Sequence, residues 1–327
     1  MLKLTGILLT LLLLASCGQK PENKVNENID DPFIEINRKI SDSPDDAKLL
    51  YERASIYYEN EGYDEAISDL SKAIEIDSTQ LDYYYLLADV NLDYYRSRDA
   101  ISTLDEALAL NPRSIPTLLK YAEFLLILKQ HDKSMLQTMK VLSIDPMNAE
   151  AYFMRGLNYR EIGDSVQTVS ALQKSVELDP DLVDAWLILA EYFNDRPSIA
   201  QKYYENAISR DTNDIQVIHA LAQHYHLQNQ LEEASNTYAT IIRKDKNYIP
   251  AHFNTGIISL ELDSFQQATE FFDNCIELDS NYAIAYYYRG YAKEKLGEIQ
   301  AAKSDFNQCL KIDQGNQKAK DALLRLE

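Results

Sequence analysis

The sequence predicts an all-α solenoid of about eight helix–turn–helix units, closed by a C-terminal capping helix. Three observations carry this. The stretch from Ala149 to Pro180 reads as two short amphipathic helices, with Tyr152, Gly156 and Tyr159 on one stripe and Thr168, Leu172 and Ser175 on the other, joined at Ile162-Gly163-Asp164. A pair this small cannot bury its apolar face alone and needs a copy on either side. The copies are present: unit ends, most of them led by Asp, fall at Pro44, Ser78, Pro112, Pro146, Pro180, Thr212, Lys246, Ser280 and Gln314, every step being 34 residues except the 32 from Pro180 to Thr212. Finally, position 8 of each unit holds only Ala or Gly: Ala54, Ala88, Ala122, Gly156, Ala190, Ala222, Gly256 and Gly290.

The small column marks where the two helices of a unit cross, since a larger side chain there would push them apart. Position 20 answers it on the second helix with Ala66, Ala100, Ser134, Thr168, Ala200, Ala234, Ala268 and Ala302. Large residues such as Tyr84, Tyr152, Trp186, Tyr286, Leu70, Leu104, Leu172, Phe272 and Phe306 surround these columns. An ordinary helical bundle has no reason to keep a fixed period. The period, the two helices per unit and the columns resemble the tetratricopeptide (TPR) repeat from about Ala47 to Gln314. The resemblance implies a right-handed superhelix.

Met1 to Cys17 stands outside that pattern. Lys3 supplies one charge, and Ile7 to Ala15 is apolar apart from Thr10, too short for the roughly 20 residues of a membrane span. It fits a secretory leader. Leu14-Ala15-Ser16-Cys17 then resembles the bacterial lipobox, which implies a signal peptide over residues 1–16 and lipidation of Cys17. Gly18 follows, where an Asp would favour inner-membrane retention under the enterobacterial sorting rule; the expectation is an outer-membrane anchor facing the periplasm. Residues 17–31 are polar and aperiodic and read as a tether. Residues 32–46, with Phe33, Ile36 and Ile40 at helical spacing, read as a lone N-terminal capping helix.

Eight units follow over residues 47–316, starting at Ala47, Leu81, Ile115, Ala149, Val183, Ile215, Ile249 and Ala283. Asp45, Thr79, Asp181, Asn213, Asn247 and Asn281 are placed to cap helix N-termini. The fifth unit loses its two residues around Asn194-Asp195-Arg196-Pro197, which predicts a tighter turn there. Residues 317–327 end the chain, with Ala319, Ala322, Leu323 and Leu326 on one face, as a capping helix requires.

No phosphate loop, GxSxG or HExxH occurs, so no enzymatic activity and no cofactor are expected. His219, His224 and His226 are spaced badly for one metal ion, and ordinary packing or groove polarity explains them better. Cys275 and Cys309 hold one position in successive units; hairpins stack at roughly 8–10 Å, beyond disulfide reach, so two buried free thiols are expected. With 32 Lys+Arg against 52 Asp+Glu, a net charge of −20 repels nucleic acid.

The first helix spends positions 4, 8 and 11 on the core, which leaves the stripe at 5, 9 and 12 to face a groove, as the resemblance also implies. Its candidate contact residues are Tyr51, Tyr58, Tyr85, Asp89, Glu123, Phe153, Leu187, Glu191, His219, Phe253, Tyr287 and Tyr291, with Arg160 further along. Position 5 can equally pack on the adjacent unit. Aromatic anchors flanked by acid suit an apolar, basic protein segment. Position 5 has no Lys and position 9 no Asn, so the clamp by which some TPR domains hold a C-terminal carboxylate is missing. The expected function is a membrane-anchored scaffold for protein–protein interaction in the bacterial cell envelope. The alternatives are a cell-wall glycan-binding or hydrolase-associated envelope protein, where aromatic rings stack on sugars, and a purely structural spacer.

Overall fold

A computed structural model describes residues 32–327. The leader, Cys17 and the tether lie outside the described residues. The described residues form eighteen helices and no strand, and no helix among them is long and apolar enough to cross a membrane. The described residues divide into two compact units, 32–90 and Asn91–Glu327.

In the first unit, α1 (Pro32–Asp42) packs on α2 (Ala47–Glu59), which pairs with α3 (Tyr63–Ile76). Leu50, Ala54, Ala66, Leu70, Tyr83 and Val90 form its core, the last two from α4 (Leu81–Asp93). In the second, α5 (Ser97–Leu110) leads to the pairs α6 (Ile115–Ile127) with α7 (His131–Ile144), α8 (Ala149–Glu161) with α9 (Ser165–Leu178), and α10 (Val183–Tyr192) with α11 (Pro197–Arg210). The pairs α12 (Ile215–Leu227) with α13 (Leu231–Lys244), α14 (Ile249–Glu261) with α15 (Phe265–Leu278), and α16 (Ala283–Lys295) with α17 (Ile299–Ile312) follow, and α18 (Gln317–Arg325) lies on α17. From α5 onward each second helix also packs on the first helix of the next pair, as α7 does on α8 and α15 on α16.

The small columns sit where the helices cross. All eight side chains at position 20 are 0% exposed. At position 8 the three glycines leave room for a partner: a Cβ on Gly156 would come within 2.6 Å of Leu172, and one on Gly256 or Gly290 within 2.8 Å of Phe272 or Phe306. Ser134, a polar member of the column, donates to the Ala122 carbonyl at 2.7 Å and accepts from Asn158 at 2.8 Å, so its burial leaves no orphaned hydroxyl.

The unit ends work differently from the expected caps. Asp77, Asn111, Asp145, Asp179, Asp211, Asp245, Asp279 and Asp313 each accept, through Oδ1, the backbone N–H two residues on, at 2.8–3.2 Å. These are Asx turns, in which a side chain mimics a backbone turn. Thr79, Asp181, Asn213, Asn247 and Asn281 are the donors of those bonds, not caps. Where a side chain does cap a first helix it sits one residue before it: Asp46, Ser114, Asn148 and Asp214. The Asp45 carboxylate faces Lys72 at 3.8 Å instead.

Inside each hairpin a three-residue linker turns on a left-handed residue: Glu61, Tyr95, Lys129, Gly163, Asn229, Asp263 and Gly297 have φ between 54° and 82°. The fifth hairpin departs from this. Its linker, 193–196, contains no left-handed residue, and α10 has 10 residues where its equivalents have 13. The two lost residues therefore shorten the helix, and the turn is not tightened. Pro197 takes the first position of α11, where its missing N–H costs nothing.

Candidate functional site

The candidate contact stripe divides into two kinds of residue. Position 5 is half-buried in seven units and buried at Leu119 in the third. In the first unit, Tyr51 lies 5.2 Å from Tyr83 and Tyr58 lies 6.2 Å from Tyr63, ring to ring. Tyr85 and Asp89 are half-buried there. In the second unit, Phe153 packs on the cluster of Leu172, Val176, Ala185, Ile188 and Leu189, and Leu187 on that of Ala190, Ala200, Tyr204 and Leu221. Phe253 stands 5.8 Å from Phe272 of its own hairpin and 5.6 Å from Tyr282 and Tyr288 of the next. Tyr287 meets Phe306 at 5.8 Å. These side chains supply packing within and between hairpins, and the rings remain partly accessible.

The charged members are more open. Glu123 and Glu191 are exposed. Glu191 lies 3.9 Å from Arg160 of the preceding hairpin. Glu150, at the start of α8, has its carboxyl pushed above the ordinary range by partial desolvation and then by the Glu123 charge. A carboxyl group whose proton affinity is raised beside a second negative charge marks a place where a cation is favoured. Tyr291 is half-buried, with the Lys295 ammonium 5.2 Å from its ring.

The three histidines go to three different partners. Asn254 Nδ2 lies 3.2 Å from His219 Nε2, Asn194 Oδ1 lies 3.1 Å from His224 Nδ1, and Glu261 lies 3.0 Å from His226 Nε2. Burial lowers the proton affinity of His219 and His224. Cys275 and Cys309 are free and fully buried. Burial pushes the Cys275 thiol up to about 12, which leaves almost no thiolate at neutral pH.

Two polar systems escaped the sequence reading. Tyr84, Trp186, His252 and Tyr286 at position 4 each reach the carbonyl six residues earlier, in the preceding unit end, at 2.8–3.3 Å. That spacing was visible as a column of ring-bearing residues with polar tips. Arg53 and Arg289 at position 7 pair with Asp69 and Asp305, sixteen residues on. An arginine and an aspartate at a constant offset of 16 in two units was the available signal.

Comparison with known proteins agrees with this geometry. Tetratricopeptide-repeat profiles match residues 149–182, 283–316 and 194–253, and the profile of anaphase-promoting complex, cyclosome, subunit 3 matches 34–107. The chain is similar to the type IV pilus assembly protein PilF of Pseudomonas aeruginosa, 27% identical over 128 residues, which is 37% of this chain and 50% of that one. It is also similar to the human superkiller complex protein 3, 29% identical over 103 residues, 31% of this chain and 7% of that one. The chain thus spans half the length of the first relative and a small part of the second. Among solved structures, the C-terminal part of a TPR repeat-containing protein from Cytophaga hutchinsonii superposes with a TM-score of 0.62 at 17% identity, covering 73% of this chain and 99% of that one. That likeness concerns the fold.

Proposed function

The chain belongs to the tetratricopeptide-repeat family, and on that premise we propose that it is a membrane-anchored scaffold that gathers protein partners in the bacterial cell envelope. The repeat is a scaffold for protein–protein interaction. The observation that carries the reading further is the neighbouring pair Glu123 and Glu150, with exposed Glu191 beside Arg160 one hairpin on, at first-helix positions open to solvent. Such a group of carboxylates favours a basic partner segment, with the accessible parts of the position 5 rings as apolar flanks. The anchor rests on Leu14-Ala15-Ser16-Cys17, outside the described residues. The name of the Pseudomonas relative, an assembly protein for a pilus, supports an assembly role at the envelope.

Two measurements test the two halves. Cells grown with labelled palmitate should label the wild-type chain, and Cys17→Ser should lose both the label and the membrane fraction; a labelled or membrane-bound Cys17→Ser chain refutes the anchor. For the scaffold, a photo-crosslinking residue at 123 or 191 should trap a partner that the same residue at exposed Glu270 does not. Glu123→Lys with Glu191→Lys should then abolish the capture. Equal trapping at all three positions refutes the acidic face.

A further inference from the structure

Position 7 of the first helix carries a long polar side chain in four hairpins: Arg53, Tyr121, Arg155 and Arg289. In three of them a carboxylate answers it from a second helix, sixteen residues away in sequence. Arg53 donates from Nε and Nη2 to the two Asp69 oxygens at 2.7 Å, and from Nη1 to Asn37, sixteen residues earlier, at 2.8 Å. Arg289 donates to both Asp305 oxygens at 2.9 and 2.5 Å and to Asp273, sixteen residues earlier, at 2.6 Å. The Tyr121 hydroxyl donates to Asp105 at 2.9 Å. For Arg155 the same two places hold Ala171 and Met139. Its Nη2 reaches the Tyr159 hydroxyl at 3.2 Å, and its Nε is buried with no protein acceptor.

Where the carboxylate would stand there is space. A cleft of about 470 Å³ opens between α8 and α9, lined by Arg155, Tyr152, Tyr159, Gln167, Ser170 and Lys174 among others, with Ala171 in its wall. Its wall uses positions 4, 7 and 11 of α8, so it is separate from the acidic stripe. The Glu177 carboxylate also lines the opening and neutralises Lys174, which leaves the Arg155 guanidinium as the cleft's unbalanced charge. Lys174 is held by Glu177 at 3.0 Å but remains partly exposed. A guanidinium presents parallel N–H donors that match a carboxylate bidentately, and a buried one without an acceptor leaves that capacity unmet.

We propose that this cleft is a carboxylate-binding site, in which Arg155 takes from a bound acid the two-oxygen contact that Asp69 and Asp305 supply inside their own hairpins. The repeat itself identifies the missing group. The two tyrosines flank it, and Gln167 and Ser170 add donors. The site stands independently of the envelope reading.

The test follows the Arg155 Nε–H resonance in the full chain labelled with ¹⁵N-arginine, assigned by its loss in Arg155→Met. Two probes are titrated against sodium chloride at matched ionic strength: succinate, and a capped Glu-Gly-Glu peptide. Either should shift the resonance saturably, and the tighter of the two tells whether the acid is free or carried on a peptide. Calorimetric affinity for that probe should fall about tenfold or more in Arg155→Met, the loss of a hydrogen bond between charged groups. Ala171→Asp should place the carboxylate internally, as in the sister hairpins, abolish the binding, and raise the melting temperature by about 2–4 °C. No saturable shift with either probe, an inorganic phosphate shift at a tenth of the succinate concentration, or undiminished binding in Ala171→Asp overturns the proposal.

Discussion

Gly256 shows how closely a single residue can be specified. A methyl group added there would meet two carbons of the Phe272 ring at 2.8 Å. Gly256→Ala should therefore cost about 1–3 kcal/mol in chemical denaturation. Two hairpins that carry Ala at this position, with Ala54 and Ala88, have Leu70 and Leu104 at the place of Phe272, whereas those with Ala190 and Ala222 have Tyr204 and Tyr238 there. Phe272→Leu in the Gly256→Ala background should thus recover most of the loss, and an additive double variant would contradict the contact. His219 sets a second expectation. Its folded pKa lies below the ordinary 6.5 because the ring is desolvated between Tyr238 and Tyr248. The unfolded chain then binds the proton more readily, so stability is complete above pH 6.5 and falls as pH drops below it. Urea midpoints should decline between pH 7.5 and 5, and His219→Phe, which copies Phe153 and Phe253, should flatten that decline. The presence of a histidine was legible in the sequence. Its desolvation was not, because Tyr248 comes from the following unit end.

At the scale of the element, the hairpin turn is the informative piece. Seven linkers hold a residue with φ near +55° to +80°, yet only Gly163 and Gly297 are glycines. An L-residue in this region carries a steric cost of roughly 1–2 kcal/mol. Lys129 has φ 55° and is exposed, so Lys129→Gly should stabilise the protein by up to about 1 kcal/mol, part of the relief being lost to the greater freedom of glycine when unfolded. A lower melting temperature for this variant would show that Lys129 has a compensating contact. Only the linkers containing Gly163 and Gly297 place a glycine at the left-handed position. The others followed from the period, because Glu61, Tyr95 and Asp263 carry no local mark of a left-handed conformation. The unit ends were legible as a recurring Asp, but the role assigned to the neighbouring residues was off by one position. Asx turns and N-caps draw on the same residue types and differ only in which N–H the side chain meets.

At the scale of the whole molecule, α18 packs over the hairpin of α16 and α17. Ala319 and Ala322 cover the cluster of Tyr286, Phe306 and Cys309, and Arg325 clasps Glu294 at 2.7 Å. Each hairpin of a repeat array is held chiefly by its neighbours, so removing a cap exposes an apolar face. Deletion of residues 317–327 should lower the melting temperature by several degrees and promote association, read by light scattering. Addition of a mild detergent should reverse the association if the uncovered face is its cause. An unchanged melting temperature would show that α17 needs no cover.

The number of helices, their pairing and the columns that cross were determined by the sequence alone. Each of these is a local pattern repeated every 34 residues, and repetition lifts it above chance. The tertiary structure alone decided which side of the first helix is free. Phe253 looks like a surface anchor in its own hairpin, and it becomes half-buried because Tyr282 and Tyr288 arrive from the next one. In the same way, Arg155 looks like its counterparts Arg53 and Arg289 until the packed helices show Ala171 and Met139 where the others find an acceptor. Helical periodicity assigns a residue to a face; only packing says what stands opposite.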